Sequence, residues 1–306
     1  MSQSDSLYHI AQALAGTSVP PRTYLPYTSG LYFSYTISGQ GPLLVIQAPG
    51  WGIGSTYLRS GLLPLESHFT LLYIEPRGSN NSIRPEKEEM STSIMVEDLE
   101  RLREVLRLEK LSILGHSHGG IVSLGYACRY PERVEKLVLV VHALQGYDDS
   151  GEWNRFAEER KHDPRYKEAY SQRATAEIHD PKSDEEYTER FFKRIAYCFS
   201  DPVKYQDSFL KTVSNKLSLW TWNAVGAADK EVKWEQKDEL VNVKAETLIV
   251  GAVDDPLGTV NVANITHEGI KGSKMVILSD CGHFPWIEQS SKFFDAIRTF
   301  LGKDLL

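Results

Sequence analysis

The chain has 306 residues, 41% of them hydrophobic and 25% charged, which is enough to bury one large α/β core or two small ones. A formal net charge of −7 argues against nucleic acid or an anionic membrane surface as partner, and no stretch approaches the roughly 20 apolar residues of a membrane span. Three cysteines, Cys128, Cys198 and Cys281, lie too far apart for a disulfide framework or metal-ligand spacing. The N-terminal residues lack the basic-then-apolar pattern of a secretory signal. These features predict a cytoplasmic protein that needs no metal or cofactor, and the aromatic residues of the stretch 146–235 predict a small, largely apolar substrate.

Residues 1–21 read as a leader with a peripheral helix and a linker ending at Pro20-Pro21. Two antiparallel strands are predicted at 22–27 and 30–37, the second from the alternation in LYFSYTI. The wholly apolar run 43–47 fits a strand buried on both faces. The glycine-rich loop APGWGIGS and a short helix to about Leu63 follow. Another buried strand is predicted at 70–74, and an amphipathic helix at 91–107 carrying Met95, Leu99, Leu102 and Leu106 on one face. Residues 111–114 read as a strand, 115–119 as a sharp turn, and the stretch after it as a helix. A strand at 136–141 comes next.

From 146 to 235 the rhythm changes to charged, aromatic and helical, with Tyr187, Phe191, Ile195 and Phe199 roughly on one face and Trp153, Trp220, Trp222 and Trp234 in the same stretch. This predicts a helical lid. Strands at 246–250 and 275–278 and a helix at 287–302 restore the earlier rhythm. Strand-helix alternation implies a doubly wound, mostly parallel sheet flanked by helices. Its core comes in two parts, 22–145 and 236–306, around the lid.

The turn Gly115-His116-Ser117-His118-Gly119 is where chemistry concentrates. A serine held on a strained strand-to-helix turn, with glycines two before and two after, has its Oγ lifted clear of the sheet. The following helix aims N–H groups at the same spot, and that of His118 can face an oxyanion. Asp254 and Asp255 fall just past the 246–250 strand and His283 just past the 275–278 strand. Ligand sites in open α/β sheets form at these carboxyl ends. Ser117, His283 and an aspartate therefore fit a triad in which histidine takes the serine proton and the acid holds the tautomer. Asp254 is preferred as the acid, because Asp255 precedes Pro256 and suits a turn. Pro49 has no N–H, so a second oxyanion donor comes from Gly50, preferred, or Trp51. Trp51, Trp153 and Trp220 are candidate pocket walls. His116 is read as a packing or loop-bonding residue.

The segments GPLLVIQAPGWGIGS, YIEPRGSNNS, LGHSHGGIVSLGYACRYPERV, TLIVGAVDDP and CGHFPWIEQSSKF resemble the α/β-hydrolase superfamily, and within it the proline iminopeptidase-like branch. The resemblance implies an α/β-hydrolase fold with a lid over Ser117. It also implies a serine hydrolase acting on a small ester, amide, lactone or short peptide. The chain departs from the family at Ala48-Pro49, where His-Gly is usual, and at Glu75, where Asp is usual. Alternatives are an aminopeptidase, with Glu158, Glu159 or Glu168 holding a free amine, a carbon–carbon hydrolase, lyase or cyclase, and a ligand-binding protein without turnover.

Overall fold

Runs of buried apolar residues set the architecture. The computed structural model describes residues 19–24, 27–28, 31–176 and 180–302. The first part of the chain forms β1 (Val19–Tyr24), the short β2 (Tyr27–Thr28) and β3 (Leu31–Tyr32), β4 (Tyr35–Gly39) and β5 (Leu43–Gln47). Then come α1 (Thr56–Gly61), β6 (Thr70–Ile74), α2 (Thr92–Val105), β7 (Leu111–His116), α3 (His118–Arg129) and β8 (Val134–Val140). Five α-helices follow among the described residues: α4 (Ser150–Glu159), α5 (Lys167–Ala176), α6 (Asp184–Arg194), α7 (Pro202–Leu210) and α8 (Leu219–Glu231). β9 (Glu246–Ala252), α9 (Val260–Gly269), β10 (Lys274–Leu278), α10 (Pro285–Glu288) and α11 (Ser290–Leu301) complete the order.

The main sheet has the strand order β1-β4-β6-β5-β7-β8-β9-β10. β4 runs antiparallel to both neighbours, and every pair from β6 to β10 is parallel. Successive side chains of a strand point to opposite faces, and here both faces are covered. Val45, Leu72, Ile113, Leu137 and Ile249 join Met95 and Leu99 of α2, Ile121 and Leu124 of α3 and Val262 of α9. Their neighbours Leu44, Ile46, Leu71, Leu114, Val138 and Val250 join Tyr57 and Leu58 of α1 and Phe293, Ile297 and Phe300 of α11. This double burial is why β5 to β9 read as continuous apolar runs. The chain leaves β5 for β6 on one side and returns to β7 on the other. The crevice between the ends of β5 and β7 is therefore a topological switch point, the usual place for a ligand in such a sheet.

Two expectations shift. β1 starts at Val19, so the predicted leader boundary at 21 falls inside a strand, and residues 1–18 of that leader lie outside the described residues. β1 is an edge strand with a register shift between Val19 and Arg22. An edge or a bulge is where Pro20 and Pro21 can be accommodated without costing an interior sheet hydrogen bond. The predicted closing helix is two helices, α10 and α11, separated at Gln289. Beyond β6, Arg77 is almost fully covered and grips Asp98 of α2 through Nε and Nη2, both at 2.5 Å. The arginine of the PRGS segment thus anchors a loop to a helix. No helix among the described residues is long and apolar enough to cross a membrane.

Besides His283, three histidines are buried close to the sheet's carboxyl ends: His116, His118 and His142. Burial pushes His118 and His142 down to about 3, and burial with the neighbouring His283 pushes His116 well below the usual value. Below pH ~6.5 the unfolded chain protonates these rings while the folded chain does not, so stability falls as pH drops. From pH 7 to 5 His118 and His142 should each cost about 2 kcal/mol. His142 bonds Thr266 Oγ1 at 2.8 Å. Urea unfolding of the His142→Gln protein should show a pH dependence shallower than wild type by about that one-histidine amount. Buried carboxylates act alike in both proteins and cancel in the comparison.

Candidate active site

Ser117 joins β7 to α3 with φ 56° and ψ −126°, a region sparsely populated by non-glycine residues and costing of order 1–3 kcal/mol. Neighbouring bonds hold it there. Ser117 N donates to Val140 O at 3.0 Å, and Gly120 N donates to Ser117 O at 2.9 Å. The flanking glycines are required by contact. A Cβ at 115 would lie 2.5 Å from Gly119 O, and one at 119 would lie 2.1 Å from Gln47 O. The strained turn read from sequence therefore exists, and the half-buried Ser117 faces a cavity.

His283 lines the same cavity. Its Nδ1 lies 2.7 Å from Asp255 Oδ2, and the Asp255 side chain is fully covered. The other carboxylate oxygen accepts from Leu257 N at 2.9 Å. The expected acid, Asp254, is corrected. Its backbone N donates to Cys281 O at 2.9 Å, while its carboxylate pairs at 2.9 Å with Arg160, the residue just past α4. The chain turns after β9, and its course there brings Asp255 rather than Asp254 inward. The loop bearing His283 is fixed from three further sides. His283 N donates to Cys198 O at 2.7 Å, the Glu288 carboxylate accepts from Gly282 N and from Ser200 N and Oγ, and His116 Nε2 lies 2.8 Å from His283 O. A carbonyl only accepts, so His116 Nε2 carries the proton and its Nδ1 accepts from the Tyr57 hydroxyl at 2.7 Å.

Gly50, expected to offer its N–H to an oxyanion, does not. That N–H donates to His118 Nδ1 at 3.0 Å. Of the two donors weighed in this loop, Trp51 N–H is the one left. A Cβ on Gly50 would meet Met95 Sδ at 2.4 Å, so the loop packs directly on α2. The His118 side chain sits beneath the loop, with its ring centroid 5.0 Å from that of Trp51.

The cavity is about 300 Å³. Its walls are mostly apolar: Trp51, Tyr57, Trp153, Tyr187, Phe191, Ile195, Phe209, Trp222, Leu257 and Phe284. Trp51 and Trp153 stand where expected. Trp220 does not; it carries the Arg84 guanidinium 4.3 Å from its ring centroid and packs on the core. Two positions along α8 turn a side chain to about the opposite side of the helix, and Trp222 takes the place in the wall. Glu158, Glu159 and Glu168 are exposed and do not line the cavity. The acidic and guanidinium groups lining it among the described residues are Asp180, Arg190 and Arg194. Asp180 is exposed and Arg190 pairs with Glu186 at 2.8 Å. Arg194 is half-buried, with its guanidinium 5.6 Å from the Trp153 ring centroid. It forms no ion pair among the described residues.

Sequence reasoning missed Trp222 and Arg194, which share a site with Ser117 only through helix geometry. The three cysteines are free and buried. Burial pushes the Cys128 thiol up to about 12 and raises Cys198 and Cys281 as well, so none is an activated nucleophile.

A family model described as the alpha/beta hydrolase fold matches residues 43–290. Among curated proteins, the chain is 26% identical over 275 residues to a proline iminopeptidase of Lactobacillus acidophilus, covering 86% of this chain and 91% of that one. It is 21% identical to a 2-hydroxy-6-oxo-2,4-heptadienoate hydrolase of Pseudomonas putida, covering 88% and 92%. Among solved structures, an alpha/beta fold family hydrolase from Bacillus anthracis superposes with a TM-score of 0.72 at 18% identity, covering 92% of this chain and 99% of that one.

The Asp255 bond makes a spectroscopic prediction. A strongly hydrogen-bonded imidazole N–H gives a far-downfield proton resonance. Wild type and Asp254→Asn should both show that resonance for His283 Nδ1–H in proton NMR, and Asp255→Asn should lose it.

Proposed function

The chain belongs to the alpha/beta hydrolase family, and from that premise we propose a serine hydrolase working through Ser117, His283 and Asp255 on a small substrate. One observation carries this reading: a strained serine opens on the same cavity as a histidine whose far nitrogen is bound to a fully covered carboxylate. Asp255 holds the proton on His283 Nδ1, leaving Nε2 free to take the Ser117 proton. Ser117 Oγ attacks the substrate carbonyl. The oxyanion is met by His118 N–H at the start of α3 and by Trp51 N–H. His283 then gives its proton to the leaving group, which departs and leaves an acyl-enzyme. Water, deprotonated by His283, releases the acid and restores Ser117. The helices between β8 and β9 serve as a lid that supplies Trp153, Phe191, Arg194 and Trp222 to the cavity. Three buried free thiols fit a reducing compartment such as the cytoplasm.

The wall chemistry narrows the substrate. The three lid glutamates that could have held a free amine point away, which removes the sequence argument for an aminopeptidase. Arg194 stands half-buried beside aromatic walls, and a guanidinium there is best satisfied by an anion. The favoured substrate therefore has an apolar body and a carboxylate end. This also supports a second reading, carbon–carbon bond hydrolysis, because 2-hydroxy-6-oxo-2,4-heptadienoate, named for the Pseudomonas putida relative, is itself a carboxylate.

The test has two parts. A fluorophosphonate probe should label Ser117 in wild type and fail to label Ser117→Ala or His283→Ala; labelling elsewhere, or no labelling, contradicts the proposal. In a panel of aryl esters matched in size, those with a carboxylate tail should be preferred. Arg194→Met should lower kcat/KM for them by about 10- to 100-fold, the worth of a charge-assisted hydrogen bond, and leave neutral esters within about 3-fold.

A further inference from the structure

Outside the cavity, a line of hydrogen bonds runs from α8 to the loop after β5. Asp229 lies on α8, Thr92 is the first residue of α2, and His118 is the first of α3. None of the three lines the cavity. Thr92 N donates to Asp229 Oδ1 at 2.7 Å, and Thr92 Oγ1 donates to Asp229 Oδ2 at 2.6 Å. Thr92 Oγ1 is also 2.8 Å from His118 Nε2, and Gly50 N donates to His118 Nδ1 at 3.0 Å.

The polarity of each bond is forced. A backbone N–H can only donate, so His118 Nδ1 is bare and the ring proton of the neutral imidazole sits on Nε2. That Nε2–H donates to Thr92 Oγ1. The threonine hydroxyl then has to send its own proton onward, and Asp229 is the acceptor. Two donors from Thr92 converge on the two oxygens of one side chain, and only a carboxylate accepts both.

We infer that Asp229 is a positioning residue that, through Thr92, selects the Nε2–H tautomer of His118 and thereby fixes the Gly50–Trp51 peptide beside Ser117. α8 and its N-cap grip the same loop at two other points: the cap residue Ser218 donates its N–H to Gly52 O at 3.1 Å, and Trp222 meets Trp51 edge to face with centroids 4.9 Å apart. Those contacts hold the loop near the helix. The polar line sets which way the Gly50 amide faces, and with it the orientation of the next peptide. The catalytic consequence rests on the hydrolase reading above; the tautomer does not.

An asparagine at 229 reverses the line. Its Oδ1 accepts from Thr92 N while its amide donates to Thr92 Oγ1. The hydroxyl then donates to His118 Nε2, the ring proton moves to Nδ1, and Gly50 N–H faces another donor. The experiment compares wild type, Asp229→Asn, Thr92→Val and Thr92→Ser, with histidine nitrogens labelled and the tautomer of His118 read from long-range proton–nitrogen NMR. Wild type and Thr92→Ser should show bare Nδ1 and protonated Nε2. Asp229→Asn should show a proton on Nδ1. On an aryl ester, Asp229→Asn and Thr92→Val should lose about 10- to 100-fold in kcat, the scale of a slightly misplaced group, with KM within about 2-fold. Thr92→Ser should retain wild-type kcat. Thr92→Val keeps the backbone bond to Asp229, so an Asp229 that merely caps α2 would leave its kcat intact, and that result overturns the inference. An unchanged tautomer in Asp229→Asn overturns it as well. A wild-type protein inert to ester would defeat the hydrolase reading alone, since the tautomer is read without turnover.

Discussion

The bond between His283 Nδ1 and Asp255 Oδ2 is the contact on which the rest of the site depends. A carboxylate with no exposed side-chain surface is costly unless its oxygens are bonded, and Asp255 has both occupied, by the imidazole and by Leu257 N. This satisfaction makes the pair a fixed feature and imposes one tautomer on the histidine. It also depends on the sheet. β9 and β10 pair in parallel, and the pairing carries on past their ends through Val253 N to Leu278 O and Asp254 N to Cys281 O. The two loops that carry Asp255 and His283 thus leave the sheet as neighbours. Ser117 reaches the same rim from β7, two strands away.

The helical segment between β8 and β9 is tied into this machinery. Cys198 O receives His283 N–H, and Ser200 shares the Glu288 carboxylate with Gly282 of the histidine loop. Arg160, just past α4, pairs with Asp254, next in the chain to Asp255. Asp229 of α8 reaches the loop after β5 through Thr92 and His118. The segment that supplies Trp153, Phe191, Arg194 and Trp222 to the cavity also braces the loops bearing Gly50, Asp255 and His283.

Much of this was legible in the sequence because it follows from local pattern. Strands buried on both faces appear as unbroken apolar runs, and the elbow announces itself because Gly115 and Gly119 meet backbone oxygens and Ser123 Oγ that a side chain would strike. What stayed hidden depends on direction or on distance along the chain. Asp254 and Asp255 are neighbours in a turn, and which one faces inward is decided by the backbone's course after β9. Gly50 looked like a free donor because its acceptor, His118, is 68 residues away. Trp220 and Trp222 differ only by position on α8. Asp229 lies in a helix with no signature, and its role follows from a contact 137 residues distant. The proline pair at 20–21 suggested a linker, since an edge strand that tolerates proline can be recognised only once its place in the sheet is known.

In the proposed mechanism Asp255, acting through His283, makes Ser117 a nucleophile. Pre-steady-state hydrolysis of a chromogenic aryl ester tests it most directly, by the rate of the first release of aryl alcohol per protein molecule. Wild type and Asp254→Asn should acylate at similar rates, while Asp255→Asn should slow by about 10³- to 10⁴-fold, the scale on which a triad loses rate when its acid no longer holds the tautomer. An Asp255→Asn protein that acylates at the wild-type rate, or a loss confined to Asp254→Asn, would contradict the account.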